Sequence, residues 1–170
     1  MNSPHVMLAM TAIENYLREG SLPGVPANTP SELLATRAGA FVCLKRDGQL
    51  RGCIGTIEPV MDNLALEIME NAVSAATRDP RFMPVETREL DGIECSVDVL
   101  SPSEQVHDLR KLDPKRYGVI VESGGRRGLL LPDLDGVDTV EQQIDIARRK
   151  AYIRSNDPIK LYRFEVLRYY

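Results

Sequence analysis

This chain is poor in histidine and cysteine and has no long apolar run, and each shortage closes off a class of function. Its only histidines, His5 and His107, are far apart, and Cys43, Cys53 and Cys95 form no Cys-x-x-Cys pair. Zinc-type spacing is therefore missing, and no metal or cofactor is expected. An odd count of three cysteines also argues against a disulfide framework and for a reducing, cytoplasmic setting. No apolar run approaches the ~20 residues of a membrane span. The N-terminus lacks a basic stretch followed by an apolar core, so no signal peptide is expected. Gly124-Gly125-Arg126-Arg127-Gly128 lacks the Lys-Ser/Thr of a phosphate loop, and no dinucleotide fingerprint is present.

Basic charge is short as well. Lys and Arg number 21 against 25 Asp and Glu, a net charge of −4. Residues 1–100 hold 8 basic and 14 acidic side chains, residues 101–170 hold 13 and 11. The C-terminal excess is too diffuse to track a phosphate backbone, so no nucleic-acid partner is expected. What remains is ordinary for a globular protein: 170 residues, 43% hydrophobic and 27% charged, enough for a single domain, 1–170, with room for two lobes.

Periodicity gives the elements. Ser3-Pro4 opens a helix with Val6, Met10, Ile13 and Leu17 at helical spacing, and Gly20 ends it. Thr29-Pro30-Ser31-Glu32 has capping-box form and predicts a short helix through Ala35. The apolar run 40–44, then Asp47-Gly48, then 50–55 reads as a hairpin. After Pro59, the stripe Met61, Leu64, Ala65, Ile68, Ala72, Val73 and Ala76 predicts an amphipathic helix that Asp79-Pro80 stops. Its polar side carries Asp62, Asn63, Glu67, Glu70, Asn71 and Ser74.

Residues 93–100 alternate as a half-exposed strand with Ile93, Cys95, Val97 and Val99 on one face. Residues 103–117 read as a loop or short helical turn, and 118–131 as a second hairpin. A capping pattern at Asp138-Thr139-Val140-Glu141 opens a helix to about Lys150, and 160–168 reads as one final strand. Strands paired in hairpins, rather than alternating singly with helices, predict an α+β fold with antiparallel sheet and flanking helices.

The return arm of the first hairpin, Leu50-Arg51-Gly52-Cys53-Ile54-Gly55, is unusual. Glycines weaken a strand interior unless something approaches the backbone closely. Arg51 stands where an apolar residue is expected. The hexapeptide resembles the hallmark of the AMMECR domain family, called AmmeMemoRadiSam system protein A in prokaryotes. Further matches are 39–42, Ser74-Ala75-Ala76-Thr77-Arg78-Asp79-Pro80-Arg81-Phe82, 128–132 and 161–164. The resemblance implies a larger lobe with antiparallel sheet and helices plus a smaller lobe. Its name implies Memo-like and radical-SAM companions. It also implies a glycine at the place of Tyr152, where tyrosine cannot take positive φ cheaply. Threonine is common at the place of Cys43.

Two functional readings follow. In the first, the chain is an enzyme, or the substrate-handling part of one. Cys53 is then a catalytic thiol, Arg51 its electrostatic partner, and glycine N–H groups are oxyanion donors. Arg51, Cys53, Asn71, Ser74 and Arg81 would gather in a polar groove beside the hairpin. Gly52, Gly55, Arg78 and Asp79 would add ligand or partner contacts. In the second, the chain is a non-catalytic interaction or regulatory module whose hexapeptide is architectural. Cys53 is then a small core residue, and Asp79 and Arg81 tie down a turn. No base for the thiol is evident in sequence. A two-residue turn at Asp47-Gly48 pairs Cys43 with Gly52, placing the thiols of Cys43 and Cys53 on opposite faces. A three-residue turn with a glycine bulge puts them on one face, one diagonal apart. A disulfide is disfavoured in either register.

Overall fold

A computed structural model describes all residues 1–170. The chain divides into two compact units, residues 1–100 with 167–170, and residues 101–166. Both pair helices with an antiparallel sheet, so the fold is α+β. No helix is long and apolar enough to cross a membrane.

In the first unit, α1 (Pro4–Glu19) begins where the Ser3 hydroxyl accepts the Val6 N–H at 3.3 Å, and ends at Gly20 in a left-handed conformation, φ 77°. A short α2 (Ser31–Ala35) follows. Its expected capping box does not form: Pro30 is the N-cap and no side chain caps the helix. Strands β1 (Ala40–Arg46) and β2 (Gln49–Gly55) are joined by Asp47 and Gly48, both at positive φ. This is the primed turn that matches strand twist.

Helix α3 (Leu64–Thr77) starts later than the apolar stripe suggests, because Asn63 Oδ1 accepts the Leu66 N–H and caps it there. The sheet is completed by β3 (Ile93–Leu100) and, at the end of the chain, β8 (Val166–Tyr169), in the order β2-β1-β3-β8. The core holds Ile13 from α1, Val42 and Leu44 from β1, Ile68, Met69 and Ala72 from α3, and Val97 from β3. Gly52 lies against α3 so closely that a Cβ there would stand 2.1 Å from the Ala75 carbonyl oxygen.

Two polar residues assigned to the wet side of this helix are buried. Glu67 is 1% exposed and Asn71 5%. Glu67 accepts from the Thr56 hydroxyl at 2.6 Å and from the backbone N–H groups of Val60 and Met61 at 3.0 and 2.8 Å. The segment after β2 folds over the helix, and Glu67 supplies the acceptors its backbone requires.

In the second unit, β4 (Glu104–Val106), β5 (Gly118–Ser123), β6 (Arg126–Leu130) and β7 (Lys160–Phe164) form a sheet in the order β4-β7-β5-β6. Strand β4 is three residues long and polar at two, which hid it inside the stretch 103–117. Helix α4 (Val140–Lys150) opens with a capping box between Thr139 and Gln142, and packs Ile144 and Ala147 against Val119, Val121 and Leu130. The final strand read as one piece is two: β7 belongs to one sheet and β8 to the other, with Glu165 between them.

Tyr152 does take positive φ, 56°, and the residue is 84% exposed. Arg126 Nη1 donates to the Tyr152 carbonyl at 2.7 Å, which holds the backbone in place. The side chain gains no burial in return, and a left-handed non-glycine residue costs about 1–2 kcal/mol. Tyr152→Gly is therefore expected to raise stability by about 1 kcal/mol, since it keeps the carbonyl and removes the Cβ clash. A lower urea midpoint in the variant would contradict this.

Candidate functional site

The first hairpin contains one irregularity, and it shapes the site. Lys45 pairs with Leu50, but Leu44 pairs with Gly52, so Arg51 is an extra residue bulged out of β2. A bulge re-aims the side chain it carries. Arg51 reaches the segment before β3, where Nε and Nη2 donate to the Glu89 carboxylate at 3.0 and 3.1 Å. Its Nη1 donates to the Met83 carbonyl at 2.8 Å and Nη2 to that of Pro84 at 3.3 Å. Arg46 joins at Glu89 Oε1, 3.0 Å. These residues line a cleft of about 500 Å³. The expected partnership of Arg51 with the Cys53 thiol does not form, because the guanidinium is committed to Glu89.

This cluster makes stability depend on acid. The Arg51 hydrogen bonds, followed by the Glu86 N–H, hold the Glu89 carboxyl down to about 2 from 4.5. A carboxyl depressed in the folded state contributes fully above its unfolded value and loses that contribution as pH falls toward the folded one. Glu89 therefore contributes on the order of 2–3 kcal/mol above about pH 4.5, lost progressively toward pH 2. Glu89→Gln is expected to lower stability near neutrality and to flatten the profile across that window, as read from urea midpoints against pH.

The bulge has a second consequence. It advances β2 by one residue, so that Cys53 stands directly opposite Cys43, with Ser96 on the other side of Cys43. Neither expected register is realised: the turn has two residues, and the shift comes at Arg51. Side chains alternate along a strand. Gly52, Val42, Leu44 and Cys95 therefore face the core, while Cys43, Cys53, Phe41, Ser96 and Asp98 face the other side of the sheet.

The two thiols are free and half-buried, face each other across the ladder, and shift each other's ionisation. The adjacent Cys53 thiol pulls the Cys43 thiol down to about 7, against burial and with help from Lys45. The same neighbour relation pushes Cys53 up, since two adjacent thiols do not both ionise readily. Burial and the Cys43 charge push it further, and Arg81 only partly offsets them. Burial pushes Cys95 up to about 12.

Cys53 sits on an edge strand, and its outward backbone groups are occupied. Its N–H donates to Asp79 Oδ2 at 3.0 Å. Arg81 Nη2 lies 3.5 Å from its carbonyl and donates to Asp79 Oδ2 at 2.8 Å, while Arg81 N and Nε both donate to Asp79 Oδ1. The Arg81 hydrogen bonds hold the Asp79 carboxyl well below the usual carboxylate range, although burial opposes them. Asp79 thus caps the free edge of the sheet, which otherwise offers unpaired groups to another strand.

The remaining expected site residues lie elsewhere. The Asn71 amide donates to the Ala40 carbonyl and the Thr56 hydroxyl, on the helix side of the sheet. Ser74 accepts from Arg78, which also pairs with Glu70 on the exposed side of α3. Because the Cys53 side chain points away from α3, neither Asn71 nor Ser74 meets it. Gly52 contacts α3, and Gly55 lies beneath the Phe41 ring, 2.2 Å from where its Cβ would be. Arg81 alone of the proposed groove residues stays beside Cys53.

Sequence reasoning also missed Asp98, whose carboxylate takes a bidentate pair from Arg168 at 2.7 and 2.7 Å on the thiol face. His5 stacks on Tyr169 at 3.6 Å, and His107 lies in the second unit, exposed. No group of three or more His, Cys, Asp or Glu side chains is placed to hold a metal ion.

The chain is thus an α+β protein of two units whose hexapeptide forms a bulged edge strand packed on α3 and tied to Asp79 and Glu89. The AMMECR1 family matches residues 6–169, and the chain belongs to that family. A protein of Thermotoga maritima is 57% identical over 98% of this chain and 97% of its own length. A protein of Clostridium acetobutylicum is 47% identical over 98% of this chain but only 36% of its own length. The crystal structure of an uncharacterized protein from Pyrococcus horikoshii superposes with a TM-score of 0.89 at 35% identity, covering 96% of this chain and 88% of that one.

Proposed function

We propose that this chain acts as a non-catalytic interaction module, the architectural reading of its hexapeptide. One observation carries the proposal: from Arg51 to Gly55 every side chain but the Cys53 thiol, and the backbone of Cys53, is spent on structure. Arg51 ties β2 to Glu89, Gly52 admits α3, Ile54 packs in the core and Gly55 seats Phe41. The backbone of Cys53 is held by Asp79, and burial beside Cys43 pushes its thiol up. A nucleophilic cysteine needs a base or a depressed pKa, and Cys53 has neither. The partners implied by the family resemblance are Memo-like and radical-SAM proteins.

The test mixes the purified chain with a Memo-like and a radical-SAM protein from the same genome and measures binding by calorimetry. Saturable binding is expected, and Cys53→Ser should leave it unchanged. Brief iodoacetamide labelling near neutral pH should modify Cys43 first and leave Cys53 protected until denaturant is added. Rapid alkylation of Cys53 in the folded protein, or loss of binding in Cys53→Ser with the fold intact, would favour the enzyme reading instead.

A further inference from the structure

Thiol placement on the outer face of the first sheet goes beyond a docking role. Cys43 and Cys53 are directly opposite in register. The outward N–H of Cys53 bonds to Asp79, and Arg81 approaches its outward carbonyl. In an antiparallel ladder a residue's N–H and C=O point the same way, so Cys53 sends neither toward β1. The two cysteines thus occupy a non-hydrogen-bonded pair, where Cα atoms approach to about 4.5 Å and side chains come closest. A disulfide spans Cα separations of about 4.4–6.8 Å. Both side chains project to the same face, half-buried, with Arg81 beside Cys53. Both cysteines are free in the structure, but neither register on which a disulfide was disfavoured is formed, because the bulge at Arg51 brings Cys53 into line.

We propose that Cys43 and Cys53 are a reversible thiol-modification site that closes to an intramolecular cross-strand disulfide on reaction with a low-molecular-weight disulfide such as oxidised glutathione. The Cys43 thiolate attacks one sulfur of the oxidant, forms a mixed disulfide and releases one glutathione thiolate. Cys53 then gives up its proton to solvent and attacks the Cys43 sulfur, expelling the second glutathione thiolate. Two protein thiols lose two electrons and two protons in all, and the oxidant becomes two thiols.

The low Cys43 pKa favours it as the first attacker, since the thiolate is the reactive form. Once Cys43 is capped, its negative charge no longer opposes ionisation of Cys53, and Arg81 assists it. The second step is internal, so protection of Cys53 from solvent reagents does not block it. The pair is only partly buried, and an exposed disulfide is readily reduced again. Cys95 faces the core on the other side of the sheet and takes no part.

The full chain, reduced and then freed of reductant, is incubated with oxidised glutathione, quenched in acid and alkylated. Peptide mass mapping reads the result. The expected product is a Cys43–Cys53 cross-link within one chain, with Cys95 alkylated, and full reversal by dithiothreitol. Cys43→Thr should lose the cross-link, and Cys53→Ala should stop with one glutathione on Cys43. A wild-type chain that remains fully reduced would overturn the proposal. So would one that keeps glutathione on Cys43 without closing, or a cross-link that involves Cys95 or a second chain. The wild-type map decides the question even where a variant fails to fold.

Discussion

Gly52→Ala is expected to destabilise the first unit by about 3 kcal/mol or more, at the upper end of what overpacking costs. The added Cβ would stand 2.1 Å from the Ala75 carbonyl oxygen, a backbone atom of α3 that cannot rotate away. Relief requires the helix to lift off β2. That movement would open the packing of Ala72, Val73 and Ala76, all at most 2% exposed. The register of β2 cannot slip to escape, because Asp79 holds the Cys53 N–H on one side of the glycine and Glu89 holds Arg51 on the other. Gly24→Ala is the control: nothing lies within 4 Å of its Cβ position and its φ is not in the left-handed region. Urea midpoints of the two variants, compared with the parent, give the measurement. Equal midpoints for Gly52→Ala and Gly24→Ala would show that α3 has room that the structure denies it. Gly128 faces the same constraint in the second unit, where a Cβ would stand 1.9 Å from the Ala147 carbonyl oxygen.

Glu67→Ala should cost about 3 kcal/mol, since it strands several donors at once. The carboxyl is 1% exposed and accepts from the Thr56 hydroxyl, the Val60 N–H and the Met61 N–H. Alanine leaves these groups to find water in a space walled by α3 and β1, or to remain unpaired. Asn71 shares Thr56 as a partner, so the loss spreads to its own bond with the Ala40 carbonyl. Glu67→Gln keeps an acceptor oxygen but loses the second, and should cost less than the alanine change. Amide hydrogen exchange at Val60 and Met61 reports the local effect. Faster exchange at these two sites, with a lowered midpoint, is the expected pair of results. Unchanged exchange would mean that the segment is held by something other than Glu67.

Local features of the fold were legible because they depend on residues close in sequence. Ser3, Pro4 and Gly20 bound α1 by satisfying or releasing backbone groups within a turn of the helix. Asp47-Gly48 makes the hairpin turn because both positions need positive φ. The family motifs likewise sit in short runs. Legibility failed wherever a distant element decided the outcome. Glu67 and Asn71 look solvated on a helical wheel, yet the 56–61 segment folds over them and gives them partners. The stretch 160–168 alternates smoothly as one strand, yet its two halves join different sheets. Arg51 looked like a partner for Cys53, two positions away, but the bulge turned it toward Glu89.

The sequence by itself determined the α+β class, the positions of α1, α3, α4 and both hairpins, and membership of the family by its hexapeptide. Period, caps and turn residues are local properties, and a local property survives without the rest of the chain. The tertiary structure alone decided the pairing of Cys43 with Cys53. That pairing depends on one extra residue in β2, and nothing in the composition of 40–55 says where the ladder skips. The skip falls at Arg51 because Gly52 must admit α3 while Glu89 draws the guanidinium outward, two contacts supplied by segments more than twenty residues away in sequence.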